Sequence, residues 1–200
     1  MKFQPNVCVF CGSGLGQNPA YGEGARELGK IIAENGIGLV YGGGSNGLMG
    51  EVARSVQAHG GRVIGIIPEF LSAKERMYTE ANELVVTATM HERKMTMFER
   101  ADGFIVLPGG MGTLEELAEM STWAQLDRHN KPIILCNIEH YWQPLLTLLD
   151  HMRSEYFIRP GLELKVEVAT RAEDAVKRFL DRIRKEEPQP VPLKPVRQQM

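Results

Sequence analysis

Short apolar runs recur along this chain, and each is followed by a turn and then by a helical pattern. Val7–Phe10, Leu39–Tyr41, Val63–Ile67, Leu84–Val86, Phe104–Leu107 and Ile133–Cys136 read as strands, with a last short one at Lys165–Val168. The runs are too apolar to expose a face, which marks a parallel sheet covered on both sides. Helical periodicity fills the gaps: 21–35, 48–59, 89–101, 114–128, 142–153 and 172–185. Residues 69–82 fit a loop with one helical turn. Strand and helix in strict alternation predict an α/β fold, a Rossmann-like doubly wound parallel sheet with helices on both faces. No repeat or compositional break divides residues 1–185, so a single nucleotide-binding domain is expected. The tail 186–200 holds four prolines and few apolar anchors, a composition that predicts disorder.

Glycine turns follow three of the strands, at 12–16, 42–47 and 109–112. All three sit at C-terminal strand ends, where such sheets bind ligands and where strand order reverses. They can therefore line one crevice. Gly42-x-Gly44-x-x-Gly47 matches the dinucleotide fingerprint, but it follows the second strand rather than the first. The first turn carries Gln17 where that fingerprint needs its third glycine.

Charge and composition remove several classes of function. Lys plus Arg (23) nearly balance Asp plus Glu (25), which leaves no basic footprint for nucleic acid. No apolar run approaches the roughly 18 residues of a membrane span, and the first residues lack the apolar core of a signal peptide. Three cysteines, an odd number without an export signal, predict a reducing, cytoplasmic location. Cys8-x-x-Cys11 lies on a strand, where residues three apart point to opposite faces, so a redox or metal role is not expected there. No His/Cys/Asp cluster calls for a metal, and no cofactor is implied.

The richest stretch is Pro108-Gly109-Gly110-Met111-Gly112-Thr113-Leu114-Glu115-Glu116. A buried strand, a glycine turn and a helix start make a ready anion site, because first-turn amides and the helix dipole both favour negative charge. Thr113-x-x-Glu116 fits a capping box. Glu116 therefore either caps its own helix or turns its carboxylate into the crevice, and Glu115, about 100° round, points elsewhere. Thr89-x-x-Glu92 is a second capping box. It opens a helix whose first turn carries Arg93 and Lys94, cations that oppose the dipole unless an anion lies near. His91 reads as a helix-start surface residue. The 114–128 helix is apolar along Leu114, Leu117, Ala118 and Ala124, and again along Met120 and Trp123 in line with Glu116. It is thus buried twice, against the sheet and against either a partner subunit or its own.

Three motifs in order, Tyr41 to Gly50, Met90-His91-Glu92-Arg93-Lys94 and Pro108 to Glu116, resemble the Lonely Guy family of cytokinin riboside 5′-monophosphate phosphoribohydrolases, whose members are often mislabelled lysine decarboxylases. The similarity runs from about Val7 to Ile183. It implies hydrolysis of AMP or N6-prenyl-AMP to free base and ribose 5-phosphate. By the resemblance Arg93 and Glu116 fall on the catalytic positions. Gly109, Gly110, Gly112 and Thr113 fall on the phosphate loop. Ser13, Gly43 and Gly44 complete the crevice, with Lys94 beside the anion and Met90 near the base. It also implies a homodimer with the site at or near the interface. The competing expectation is a non-catalytic nucleotide sensor or carrier, in which Glu116 is a cap and Arg93 a ligand clamp.

Overall fold

A computed structural model describes residues 4–72 and 77–186. Every apolar run becomes a strand: β1 Asn6–Phe10, β2 Gly38–Tyr41, β3 Val63–Pro68, β4 Glu83–Thr87, β5 Gly103–Val106, β6 Ile133–Cys136 and β7 Val166–Ala169. They form one seven-stranded sheet in the order β4-β3-β2-β1-β5-β6-β7. All six pairings are parallel. Cys8, at the centre, is in register with Val40 on one side and Phe104 on the other. The chain winds outward from β1 to β4, then returns to β1's other edge for β5. The reversal of strand order therefore lies between β1 and β5.

Among the described residues, six α-helices lie between strands and a seventh follows the last: α1 Pro19–Glu34, α2 Gly47–Ala58, α3 Glu69–Ser72, α4 Met90–Arg100, α5 Met111–Gln125, α6 Gln143–Ser154 and α7 Ala172–Glu186. Two apolar layers result. Leu28 and Ile32 of α1, Val52 and Val56 of α2 and Phe179 of α7 cover one face with Val7, Leu39 and Ile105. Met97 of α4 and Leu117, Met120 and Ala124 of α5 cover the other with Cys8, Val40 and Phe104. Full burial of each large side chain contributes roughly 1.5–3 kcal/mol relative to exposure. Cys8 and Cys11 fall in different layers, as strand alternation requires. All three cysteines are free thiols in the core. Burial pushes Cys136 up to about 12 and the other two upward as well.

Helix α6 differs from the other long helices. None of its residues is fully buried: Leu145 and Leu146 pack partly against the second layer, and Leu148 and Met152 are exposed. Tyr156 and Phe157, just beyond it, are 74% and 85% exposed. No helix among the described residues is long and apolar enough to cross a membrane. The disorder expected of 186–200 concerns, past Glu186, residues outside those described.

Candidate active site

The loops after β1 and β5 meet at the reversal point. The Gly12 amide donates to the Pro108 carbonyl at 3.0 Å. The loop after β2 joins them through Gly47, whose positive φ of 58° and contact with the Ser13 backbone leave no room for a side chain. The three turns thus converge, but they are not equivalent. The amides of Leu48 and Met49 that open α2 both donate to the Gly12 carbonyl, at 3.0 and 3.4 Å. Two first-turn amides of that helix are thus taken by the protein itself, so the fingerprint-like Gly42-x-Gly44-x-x-Gly47 packs a helix against a loop.

The start of α5 is open. Its N-cap is Gly110, which supplies no side-chain cap. No acceptor among the described residues takes the amides of Met111, Gly112 or Thr113. Such a helix end holds orphan donors and a positive dipole end, the two components of an anion cradle. The helix begins three residues earlier than the Thr113 capping box predicts. Thr113 lies inside the first turn, buried, and Glu116 is released from capping.

Glu116 instead faces Arg93. Arg93 Nη1 donates to Glu116 Oε1 at 2.9 Å, and both side chains are about nine-tenths buried. Arg93 Nε donates to the Ile66 carbonyl at the end of β3, at 3.1 Å. Its Nη2 occupies the space that a Cβ on Gly42 would need. The guanidinium is thus fixed from three directions by β2, β3 and α5. Thr89 caps α4 as its sequence predicts, its hydroxyl accepting from the Glu92 amide at 3.1 Å. Burial pushes the Glu116 carboxyl above the ordinary carboxylate range, against the opposing pull of Arg93's charge and hydrogen bond.

A cavity of about 290 Å³ opens beside the pair, near the lower end of ligand clefts. Ser13, Met90, Arg93, Gly110, Gly112, Thr113 and Glu116 all line it. Other predicted site residues lie elsewhere. Lys94 does not line it: its ammonium binds Glu115 and Glu119 at 2.6 and 3.0 Å. Gly43 and Gly44 turn towards the 77–78 segment, where the Gly43 carbonyl accepts from the Tyr78 amide and Gly44 bridges Met77. Gly109 lies behind the loop, in a separate recess with Tyr21 and Tyr141. Cys11, Met49, Leu71 and Met97 line the cavity, although the sequence names none of them as a site residue. Cys11 and Met49 flank two of the glycine turns, a signal that was there to be used. Met97 lies four residues after Arg93 on the same helix, a spacing that puts both on one face, whereas Leu71 sits far from any motif and carried no signal. The stripe containing Glu116 and Met120 faces this subunit's own core, while Leu114 is only partly buried and Ala118 is exposed.

Residues 49–179 match a family model described as "possible lysine decarboxylase". The chain is 47% identical over 174 residues to cytokinin riboside 5′-monophosphate phosphoribohydrolase LOG7 of Arabidopsis thaliana, covering 86% of this chain and 80% of that protein. It is 44% identical over 186 residues to LOG1 of the same plant, covering 93% and 87%. The chain belongs to the Lonely Guy family. Among solved structures, a molybdenum cofactor binding protein from Rippkaea orientalis superimposes with a TM-score of 0.68 at 24% identity, covering 92% of this chain and 99% of that one. At that distance only the fold is shared. The decarboxylase description of the Lonely Guy family model finds no support in the cavity. Pyridoxal chemistry needs a lysine to carry the cofactor, and no lysine is among the lining residues.

Proposed function

We propose that this chain hydrolyses the N-glycosidic bond of adenosine 5′-monophosphates, N6-prenylated ones included, releasing free base and ribose 5-phosphate. The single observation that carries the proposal is the buried Arg93–Glu116 pair beside a helix start with three open amides. The relatives' names supply the substrate class, and the cradle supplies a place for its phosphate. With the phosphate on the amides of Met111, Gly112 and Thr113, the ribose extends along the first turn of α5 towards Glu116. The apolar side chains of Met49, Leu71, Met90 and Met97 form the wall for the base.

In the reaction, the C1′–N9 bond breaks and its electron pair leaves with the base, while positive charge develops on the ribose ring. A water oxygen then bonds to C1′, and one of its protons is lost as the base gains one. A carboxylate at the sugar stabilises the developing charge and accepts the proton from water. Its raised pKa makes Glu116 a stronger base than an ordinary carboxylate. Arg93 keeps its proton throughout, so it acts by charge and by fixed hydrogen bonds rather than as a general acid. It engages Oε1, leaving the other carboxylate oxygen to the ligand. Gripping the remote phosphate converts binding energy into placement of C1′.

The test is a panel of nucleoside monophosphates, with and without N6-prenyl groups, assayed for base by chromatography. Release of base with equimolar ribose 5-phosphate is the expected result. Binding without turnover would make the protein a sensor instead.

The active form in this proposal is a homodimer in a reducing, cytoplasmic compartment. The compartment is supported by three buried free thiols. The dimer is supported by the exposed Leu148 and Met152 of α6 and by the exposed Tyr156 and Phe157 that follow them in the chain. Light scattering is expected to give twice the chain mass of 22.4 kDa, and Phe157→Glu to give the single mass.

A further inference from the structure

The glycine pair at the centre of the anion loop creates a mechanical problem. Neither Gly109 nor Gly110 has a side chain to limit its backbone, so the peptide unit joining them can rotate at little cost. Gly110 lines both the site cavity and the recess that holds Tyr141; in one orientation the peptide's N–H faces the site cavity. In the other, a carbonyl oxygen faces it and repels an anion. Something must choose.

The Gly109 carbonyl accepts a hydrogen bond from the Tyr141 hydroxyl at 2.7 Å. In a trans peptide the C=O and N–H point in opposite directions, and the described chain has no cis bond. Holding the oxygen towards Tyr141 therefore aims the Gly110 N–H away from Tyr141, to the side of the cavity. Tyr141 itself is held firmly. Its ring meets Tyr21 and Trp142 edge-on, with centroids 5.4 and 4.9 Å apart. It follows a 3₁₀ turn, Ile138–His140, that contains two successive non-glycine residues in the left-handed region, Glu139 at φ 49° and His140 at φ 58°. L side chains avoid that region, and such strain persists where the surroundings enforce it. Here the turn is fixed by His140 N–H to the Asn137 carbonyl, Tyr141 N–H to the Ile138 carbonyl, and Trp142 N–H to Asn137 Oδ1. A strained turn after β6 thus presents one hydroxyl to the flexible loop after β5.

We propose that Tyr141 is a positioning residue for the substrate's phosphate, locking the Gly109–Gly110 peptide with its N–H turned into the anion cradle. The inference rests on the phosphate lying at the start of α5, as proposed above. It concerns the phosphate half of the substrate alone, and this separates it from a general packing role.

Tyr141→Phe keeps both ring contacts and removes only the hydroxyl. Its melting temperature is expected to stay close to wild type. Its affinity for ribose 5-phosphate, measured by calorimetry, is expected to fall roughly five- to tenfold, the effect of one ordinary hydrogen bond. KM for AMP rises by the same factor, kcat changes less, and affinity for the free base is unchanged. Equal ribose 5-phosphate affinity in the variant and the wild type would overturn the inference. So would parallel losses for sugar phosphate and base, which would mark Tyr141 as packing only. A wild type that neither binds ribose 5-phosphate nor releases base would remove the reading of the site and this inference together. A wild type that does both, with an indifferent Tyr141→Phe, would remove this inference alone.

Discussion

Glu116→Gln is expected to yield a folded protein that binds AMP within a few-fold of wild type and releases base on the order of 10³-fold more slowly. Glutamine keeps the size of the side chain and an oxygen that can accept from Arg93 Nη1, now 2.9 Å from Glu116 Oε1. What it loses is negative charge and basicity. Those are the two properties that a positively charging ribose and an attacking water require, and general-base and charge-stabilising groups typically contribute factors of about 10² to 10⁴ each. AMP affinity survives because the phosphate cradle is backbone, one turn away. The pH profile carries the same information. Burial holds the Glu116 carboxyl above the ordinary range, so the wild-type rate should rise with pH through a value higher than the roughly 4.3 of a free glutamate. That limb disappears in the variant. A Glu116→Gln enzyme with near-normal turnover would take the residue out of the mechanism, and one that no longer binds AMP would make it a ligand clamp instead.

The sheet was legible because parallel strands buried on both faces need unbroken apolar runs, and this chain has them at regular intervals. Its closure around β1 and the convergence of three glycine turns followed from the rule that ligands bind where strand order reverses. What the sequence could not distinguish was which turn stays open. Gly42-x-Gly44-x-x-Gly47 and Gly109-Gly110-Met111-Gly112 look alike as strings. The difference is tertiary: the Gly12 carbonyl closes one helix start and leaves the other free. The same limit explains Thr113. A capping-box pattern is a local signal, and it lost to a helix that begins at Met111, where Gly110 makes the turn. The sequence groups Lys94 with Arg93 because both cations sit in one helical turn. Only the neighbouring helix decides between them, since Glu115 and Glu119 claim the lysine while Glu116 and the Ile66 carbonyl claim the arginine. Tyr141 had no local signal at all, because its partner lies 32 residues earlier in the chain.

The Arg93–Glu116 pair should be costly to break and cheap to delete. Arg93→Met leaves a carboxylate in a site about nine-tenths buried, and removing one member of a buried pair typically costs about 3–5 kcal/mol. Without the guanidinium, which now pulls the Glu116 carboxyl downward against burial, that pKa rises further above its unfolded value. A carboxyl with a raised folded pKa binds more protons in the native state than in the unfolded one between the two pKa values, so stability falls as pH rises through that window. The deficit of Arg93→Met should therefore be larger at pH 8 than at pH 5 and shrink as pH drops towards the unfolded value near 4.3. Arg93→Met combined with Glu116→Leu removes both charges and both desolvation penalties. It is expected to be as stable as wild type or more stable by roughly 1–4 kcal/mol, and inactive. Urea unfolding of the two single variants, the double variant and wild type at pH 8 and pH 5 closes the cycle. Strong coupling at pH 8 that weakens at pH 5 is the expected pattern. Additive effects at both pH values would mean that the two groups do not interact, and the buried pair could no longer be the feature that this protein keeps for function at a cost in stability.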